Sequence, residues 1–145
     1  MISLIYNINL NERGIIVKQE SDWKQLLKNK GLRCTQQRLS ILRVLNQAQR
    51  PLAAQEVKKR LTAEHSNLRL STIYRALNSF EQQNIVRKFN FKDEVGRFEL
   101  QTDNNHHHHL VCVECGQVEP LACPLRQFEQ QVSQQTGYEV SEHRI

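Results

Sequence analysis

Apolar residues recur at helical spacing in four stretches before Asn84, which predicts four amphipathic helices. Thr35 and Ser71 are suited to cap the second and fourth helices, and Gly31 and Pro51 mark the ends of the first and second. The first three helices can share one small core, and the fourth turns its apolar face inward. The four apolar faces are Trp23, Leu26 and Leu27; Ile41, Leu42 and Leu45; Ala54, Val57 and Leu61; and Ile73, Leu77 and Phe80.

Beyond Asn84 the spacing changes from helical to alternating, with Ile85, Arg87 and Phe89 on one face of a predicted strand. A second strand is predicted from Arg97 to Leu100, after a hairpin turn over residues 92–96. Helices followed at once by a two-stranded hairpin are typical of a winged helix-turn-helix. The sequence therefore predicts a winged-helix domain over residues 21–100, preceded by an N-terminal extension, residues 1–20.

The outward face of the fourth helix carries Ser71, Tyr74, Arg75 and Asn78, and Thr72 lies in the same turn. An aromatic hydroxyl, a guanidinium and an amide on a rigid helix are side chains that reach phosphates and base edges in the major groove. The alternative is an ordinary polar helix face. The hairpin that follows this helix favours DNA binding, with these five residues as candidate contacts.

Charge is divided unevenly along the chain. Residues 21–90 contain 14 Lys and Arg against 4 Asp and Glu, whereas residues 91–145 contain 4 against 9. Clustered cations bind polyanions by neutralising phosphates and releasing counterions, so the first half is expected to bind nucleic acid. The alternative is a solvated basic surface.

The acidic half contains the run HHHHLVCVECG, from His106 to Gly116. A C-x-x-C pair followed by glycine, after an apolar strand, indicates a zinc knuckle formed by Cys112 and Cys115. A thioredoxin-like redox pair is disfavoured because more strand, rather than a helix, follows. The histidines are either a solvated turn or metal ligands. In a strand, His107 and His109 would share one face, and His106 and His108 the other, so the pairs could serve different sites.

After the cysteine pair, the pattern of apolar residues predicts a strand over residues 117–121, a helix over 125–135 and a last strand over 138–145. So small an α+β unit is too thin to bury its sheet alone, which suggests that residues 101–145 form a dimerisation domain. With 145 residues, no apolar stretch long enough to span a bilayer and no signal-peptide pattern, we expect a cytoplasmic protein without a membrane partner. Four cysteines in such a chain favour metal binding over disulfides.

Several motifs together resemble the ferric uptake regulator family of metal-responsive, dimeric winged-helix repressors. They are GLRCTQQRLSIL from Gly31, LSTIYRAL from Leu70, RFEL from Arg97, the histidine and cysteine run from His106, and GYEVSEHR from Gly137. The resemblance covers residues 22–145 in order. It implies an α+β chain, with a winged-helix domain followed by a small α/β dimerisation domain.

The resemblance also assigns roles to individual residues. Tyr74 and Arg75 match positions that contact base and phosphate, and Arg33 matches a basic position that approaches the minor groove. Three sets match the family's metal ligands: Glu99, His107 and His109 for a sensing site; His106, His108 and His143 for a second site; Cys112 and Cys115 for half of a structural zinc site.

Three features depart from the family pattern. Arg50 and Pro51 stand where the sensing site usually has a histidine, for which Asp103 or His65 would be substitutes. Arg126 or Gln127 stands where the second site has an acidic residue, with Glu129 the nearest carboxylate. The chain ends at Ile145, before the family's usual second C-x-x-C, so the dimerisation domain is expected to be truncated. Cys123 could supply one missing thiolate.

These observations predict a metal-dependent DNA-binding repressor of metal-homeostasis genes that acts as a homodimer on double-stranded operator DNA. We expect no enzyme activity and no small organic substrate. A zinc enzyme acting on nucleic acid, such as a base deaminase, is disfavoured because its H-x-E is absent. A metal storage or delivery protein is the alternative, but it leaves the basic half unexplained. The regulatory metal is expected to be zinc or iron(II), and the structural metal zinc.

Overall fold

The computed structural model describes residues 19–48, 50–61, 65, 67–90, 93–101, 107–115 and 117–140, except for the side chains of His107, Pro120 and Ala122. The chain divides into two compact units, residues 1–102 and 103–145, and each is described by itself. Helices and antiparallel strands are both present, as the predicted α+β class requires. The first unit contains α1 (Glu20–Asn29), α2 (Gln36–Ala48), β1 (Leu52–Ala53), α3 (Ala54–Arg60), α4 (Leu70–Gln82), β2 (Val86–Asn90) and β3 (Gly96–Leu100). The second contains β4 (His107–Val111), β5 (Val118–Ala122) and α5 (Arg126–Thr136).

The apolar faces predicted for the four helices meet in one core, which confirms the helical pattern. The rings of Phe80 and Phe98 are fully buried in it, with Leu42 and Leu77 among the other fully buried side chains. Leu26 is the one residue of the four predicted faces that is only partly buried, and it packs against the same core. A single core holds the helices and the sheet of the first unit together.

The cap predicted at Thr35 is confirmed, because its Oγ1 accepts a hydrogen bond from the backbone N–H of Arg38 at 3.3 Å. The cap predicted at Ser71 is wrong: α4 begins at Leu70, its N-cap is Arg69, and Ser71 lies in the first turn. Leu68 is buried and Leu70 packs against the core. Burying a leucine is worth about 1.5–3 kcal/mol, whereas a serine cap is worth about 1 kcal/mol, so packing sets the start of the helix.

The hairpin predicted after Asn84 is present, but it belongs to a sheet of three strands in the order β1-β3-β2. β2 pairs with β3 from Val86 opposite Leu100 to Asn90 opposite Gly96. The sequence did not predict β1, which has only two residues and pairs with the other edge of β3. Two residues are too few to show the alternation by which a strand is recognised.

In the second unit β4 and β5 pair antiparallel, with His107 opposite Ala122 and Val111 opposite Val118. The predicted helix is present as α5, and Gly137 in the left-handed region ends it, with φ of +74°. The last predicted strand is wrong over residues 138–140, which join no ladder in the described part of the chain; residues 141–145 lie outside it. Tyr138 and Glu139 are exposed there.

None of the helices in the described ranges has the length and apolar character needed to cross a lipid bilayer.

Candidate nucleic-acid interface and metal ligands

α4 presents one polar face to solvent. Ser71, Tyr74, Arg75 and Asn78 are exposed, as the sequence predicted, and Thr72 is half-buried beside them. The opposite face of the helix, which includes Ile73, is buried in the core. Because the buried face fixes the rotation of α4, the exposed side chains start from a rigid platform. Such a face can make several contacts in the major groove at once.

Arg33 lies in the short loop between α1 and α2, and its side chain is exposed. Gly31 has φ of +68°, and Leu32 donates its backbone N–H to the carbonyl of Leu27 at 2.8 Å, which closes α1 in a Schellman motif. The Thr35 cap fixes the other end of the loop. The side chain of Arg33, which is predicted to approach DNA, therefore projects from a loop that is fixed at both ends.

The exposed basic side chains of the first unit fall into two groups. Lys24 and Arg43 pair with the same carboxylate, Glu20, at 3.1 and 2.7 Å. Arg60 forms no ion pair with a described carboxylate, but its charge helps to lower the pKa of Glu56. The others form no ion pair with a carboxylate in the described ranges: Lys28, Lys30, Arg33, Lys58, Lys59, Arg69, Arg75, Arg87 and Lys88. Cations without an internal counterion are available to phosphates, as the predicted binding of nucleic acid requires.

Arg50 occupies the position where the resemblance expects a metal-binding histidine. Its guanidinium pairs with the carboxylate of Glu56 at 2.7 Å, and the other oxygen of Glu56 accepts the backbone N–H of Ala53 at 2.9 Å. Partial burial raises the pKa of Glu56, but the hydrogen bonds from Arg50 and Ala53 outweigh it, so the pKa lies below its ordinary 4.5. The position is therefore used for an ion pair at the start of α3.

The hairpin turn is closed by an ion pair that the sequence analysis did not identify. Arg97 donates two hydrogen bonds to the carboxylate of Asp93, at 2.6 and 2.9 Å, and these lower the pKa of Asp93 to about 2. On the neighbouring strand, the Nζ atom of Lys88 lies 5.8 Å from the centre of the Phe98 ring. The i, i+4 spacing of Asp93 and Arg97 is the only sequence signal for this pair.

The histidine run forms most of β4, so the predicted strand is present from His107 onward. His107, His108 and His109 lie opposite Ala122, Leu121 and Pro120. Neighbouring residues of a strand point to opposite faces, so the backbone places His107 and His109 on one face and His108 on the other. His108 and His109 are half-buried. His106 lies outside the described residues.

The two cysteines of the C-x-x-C pair lie at the turn between β4 and β5 and are exposed. Backbone N–H groups of Cys115 and Glu114 form hydrogen bonds to the Cys112 thiol and lower its pKa. A thiol with a lowered pKa loses its proton more readily, as a metal ligand must. Cys123, the third thiol of this unit, is half-buried. The donor set therefore fits a thiophilic metal such as zinc.

The described residues do not by themselves assemble a complete metal site, since no three potential ligands come together among them. Glu99 lies on β3 opposite Arg87, in the first unit, and His107 and His109 are in the second. His143, with Asp103, lies outside the described ranges. The three ligand sets remain predictions.

The chain matches a model of the ferric uptake regulator family over residues 29–145. It is 38% identical over 121 residues to the ferric uptake regulation protein of Cupriavidus metallidurans. The matched residues cover 82% of this chain and 84% of that protein. The crystal structure of the Vibrio cholerae ferric uptake regulator has a TM-score of 0.66 at 34% identity, covering 86% of this chain and 95% of that one. A zinc-bound manganese uptake regulator has a TM-score of 0.65 at 26% identity, covering 84% and 92%. The chain therefore belongs to the ferric uptake regulator family, whose members are metal-responsive, dimeric DNA-binding regulators of transcription and not enzymes.

Proposed function

We propose that this protein represses transcription by inserting α4 into the major groove of double-stranded operator DNA, under the control of zinc or iron(II). The observation that carries the proposal is the exposed face of α4, with Tyr74 and Arg75 on a helix whose other face is buried. Ser71, Thr72 and Asn78 extend this contact surface, and Arg33 approaches the minor groove. A repressor acts where its operator is, so the proposed location is the cytoplasm.

Affinity and specificity come from different residues in this proposal. The exposed basic side chains without a described carboxylate partner, such as Lys58 and Lys59, contact phosphates and favour any duplex alike. Tyr74, Arg75 and Asn78 lie on the helix face that reads base edges. Replacing Lys58 should therefore weaken binding to operator and random DNA equally, whereas replacing Tyr74 should reduce the difference between them.

The exposed apolar surface of the second unit supports the proposal that the protein is a homodimer. The described part of this unit exposes large apolar side chains, and α5 has no buried residue. The exposed residues are Leu110, Val113, Leu121, Phe128 and Tyr138. A soluble single domain rarely exposes so much apolar surface, whereas a second copy of the chain would bury it. Two copies place two α4 helices on one DNA molecule, which suits a two-fold symmetric operator.

The proposed metal ligands fall into the three sets that the resemblance assigns. Glu99, His107 and His109 would hold the sensed metal, and His106, His108 and His143 a second ion. Cys112 and Cys115 would hold structural zinc. Imidazole and carboxylate suit zinc and iron(II) alike, whereas paired thiolates favour zinc, which is why the regulatory metal is left as either of the two. One relative is named for ferric uptake and one related structure is zinc-bound.

The experiment starts from a duplex selected from a random-sequence library by the zinc-loaded protein and, separately, by the protein loaded with iron(II) without oxygen. Binding is then measured with each metal and with a chelator. We expect metal to strengthen binding to the selected duplex; a hundredfold effect corresponds to a coupling of about 2.7 kcal/mol, and DNA must tighten metal binding by the same factor.

His109→Ala should abolish the metal-dependent part of DNA binding and leave the salt-sensitive, nonspecific part. The matched control is Glu119→Gln, an exposed carboxylate on the neighbouring strand β5 to which no metal role is assigned. Equal binding with metal and with chelator would contradict metal control. Failure to enrich any sequence would contradict the proposed repressor function as a whole. Zinc analysis of Cys112→Ser and Cys123→Ser variants tests the structural ion separately.

A further inference from the structure

The loop that carries Arg33 has a third attachment, in addition to the two at its ends. Nη1 of Arg38, in the first turn of α2, donates a hydrogen bond to the backbone carbonyl of Arg33 at 2.8 Å. Leu32 closes α1 and Thr35 caps α2, so Arg33 and Cys34 are the two residues between these anchors. The Arg38 contact therefore holds the middle of the loop, at the backbone carbonyl of Arg33.

The Arg38 side chain has a main-chain partner rather than a carboxylate. It is half-buried, and no carboxylate in the described residues forms an ion pair with it, although Arg43, five residues further along the same helix, pairs with Glu20. Hydrogen bonds with a charged partner are stronger than neutral ones. Because the Arg38 guanidinium donates to the backbone carbonyl of Arg33, it fixes the plane of the peptide between Arg33 and Cys34.

Fixing this peptide also fixes the direction in which the Arg33 side chain leaves the backbone. If DNA binding had to order the backbone of one residue, the binding constant would be lower by about five- to thirtyfold. If the loop is already ordered in the free protein, DNA binding does not have to order it.

We propose that Arg38 is a positioning residue for DNA binding, which acts by holding the Arg33 carbonyl so that the Arg33 side chain is directed toward the DNA. The inference rests on the proposed contact between Arg33 and DNA. Arg38 does not touch the DNA in this scheme, and its effect on affinity requires Arg33.

The test is a double-mutant cycle with the full chain, zinc-loaded, and the duplex that it selects from a random-sequence library. Arg33→Ala should weaken binding. Arg38→Met, which keeps the aliphatic stem and removes the guanidinium, should weaken it by about five- to thirtyfold. In the Arg33→Ala background the same Arg38→Met change should have almost no effect, because the side chain that it positions is gone. The matched control is Arg43→Met, whose effect should be the same in both backgrounds.

A second readout concerns the loop alone. Nitrogen-15 relaxation of the Cys34 amide, the N–H of the peptide whose carbonyl Arg38 holds, should report greater mobility in Arg38→Met than in the parent, while the amides in the middle of α2 stay as rigid as before. Should Arg38→Met fail to fold, Arg38→Gln, whose shorter neutral amide falls short of the Arg33 carbonyl, replaces it in both measurements.

The outcomes separate this inference from the proposed function. Additive effects of Arg33→Ala and Arg38→Met would show that Arg38 contributes independently, and unchanged mobility at Cys34 would show that it does not order the loop; either result overturns the inference and leaves the repressor intact. No effect of Arg33→Ala also overturns it. If the parent selects no duplex, the proposed function fails, and the inference fails with it.

Discussion

Replacing Tyr74 by phenylalanine removes one oxygen atom from the exposed face of α4. Tyr74 is 39% exposed and lies opposite the buried face of the helix. Loss of a hydroxyl at such a surface position should change the free energy of unfolding by less than about 0.5 kcal/mol. Any larger effect on DNA binding would therefore come from the interface itself.

The expected effect on DNA follows from one hydrogen bond per subunit. A hydrogen bond contributes about 0.5–1.5 kcal/mol net, so the two Tyr74 hydroxyls of a dimer contribute about 1–3 kcal/mol. Tyr74→Phe should therefore weaken binding to the selected operator by about fivefold to 150-fold. Binding to a duplex of shuffled sequence should stay nearly unchanged, because phosphate contacts supply most of nonspecific affinity.

Fluorescence anisotropy with both duplexes, at the same salt and metal concentrations, measures this difference. Tyr138→Phe is the matched control, since Tyr138 is also exposed but belongs to the second unit. Equal losses on the operator and on the shuffled duplex would mean that the hydroxyl contacts phosphate rather than a base. No loss on either would refute the placement of Tyr74 against DNA.

Three further predictions concern stability and assembly. Thr35→Ala removes the cap of α2 and should lower the free energy of unfolding by about 1 kcal/mol in urea denaturation; an unchanged midpoint would mean that the cap is dispensable. The pKa of Glu56 is lowered in the folded protein, so its ion pair with Arg50 contributes stability above pH 4.5 that is lost as pH falls through the lower, folded value. Glu56→Gln should therefore be less stable than the parent at neutral pH, with the difference shrinking in acid; a difference independent of pH would contradict this account. Phe128→Glu places a charge on the exposed apolar surface of the second unit and should shift dimer to monomer in sedimentation; a dimer of unchanged affinity would locate the interface elsewhere.

The helices of the first unit were predictable because each has an apolar face that recurs over several turns. The face of Tyr74 and Arg75 followed from the same periodicity, since residues opposite a buried stripe must be exposed. The start of α4 did not follow, because the burial of Leu68 and Leu70 depends on the position of the core and not on local capping.

Other parts of the site had no recognisable pattern. The hydrogen bond from Arg38 to the Arg33 carbonyl joins a side chain to a main-chain atom, and every residue type has that atom. The ion pair of Arg50 and Glu56 spans six positions across a strand and the start of a helix, a spacing that no single periodicity predicts. Such contacts depend on tertiary structure.

The two-residue strand β1 limits where this protein can tolerate an insertion. Leu52 and Ala53 pair with the central strand β3, and α3 begins at the next residue, so no slack separates the strand from the helix. One extra residue before Ala54 would either turn α3 by about 100°, which would pull Val57 from the core, or exchange the two faces of β1, which would pull the fully buried Leu52 from it. An insertion at the hairpin turn beyond Asn90 would lengthen only the tip. Relatives of this protein should therefore vary in length at the hairpin turn and keep a constant length from Pro51 to Ala54.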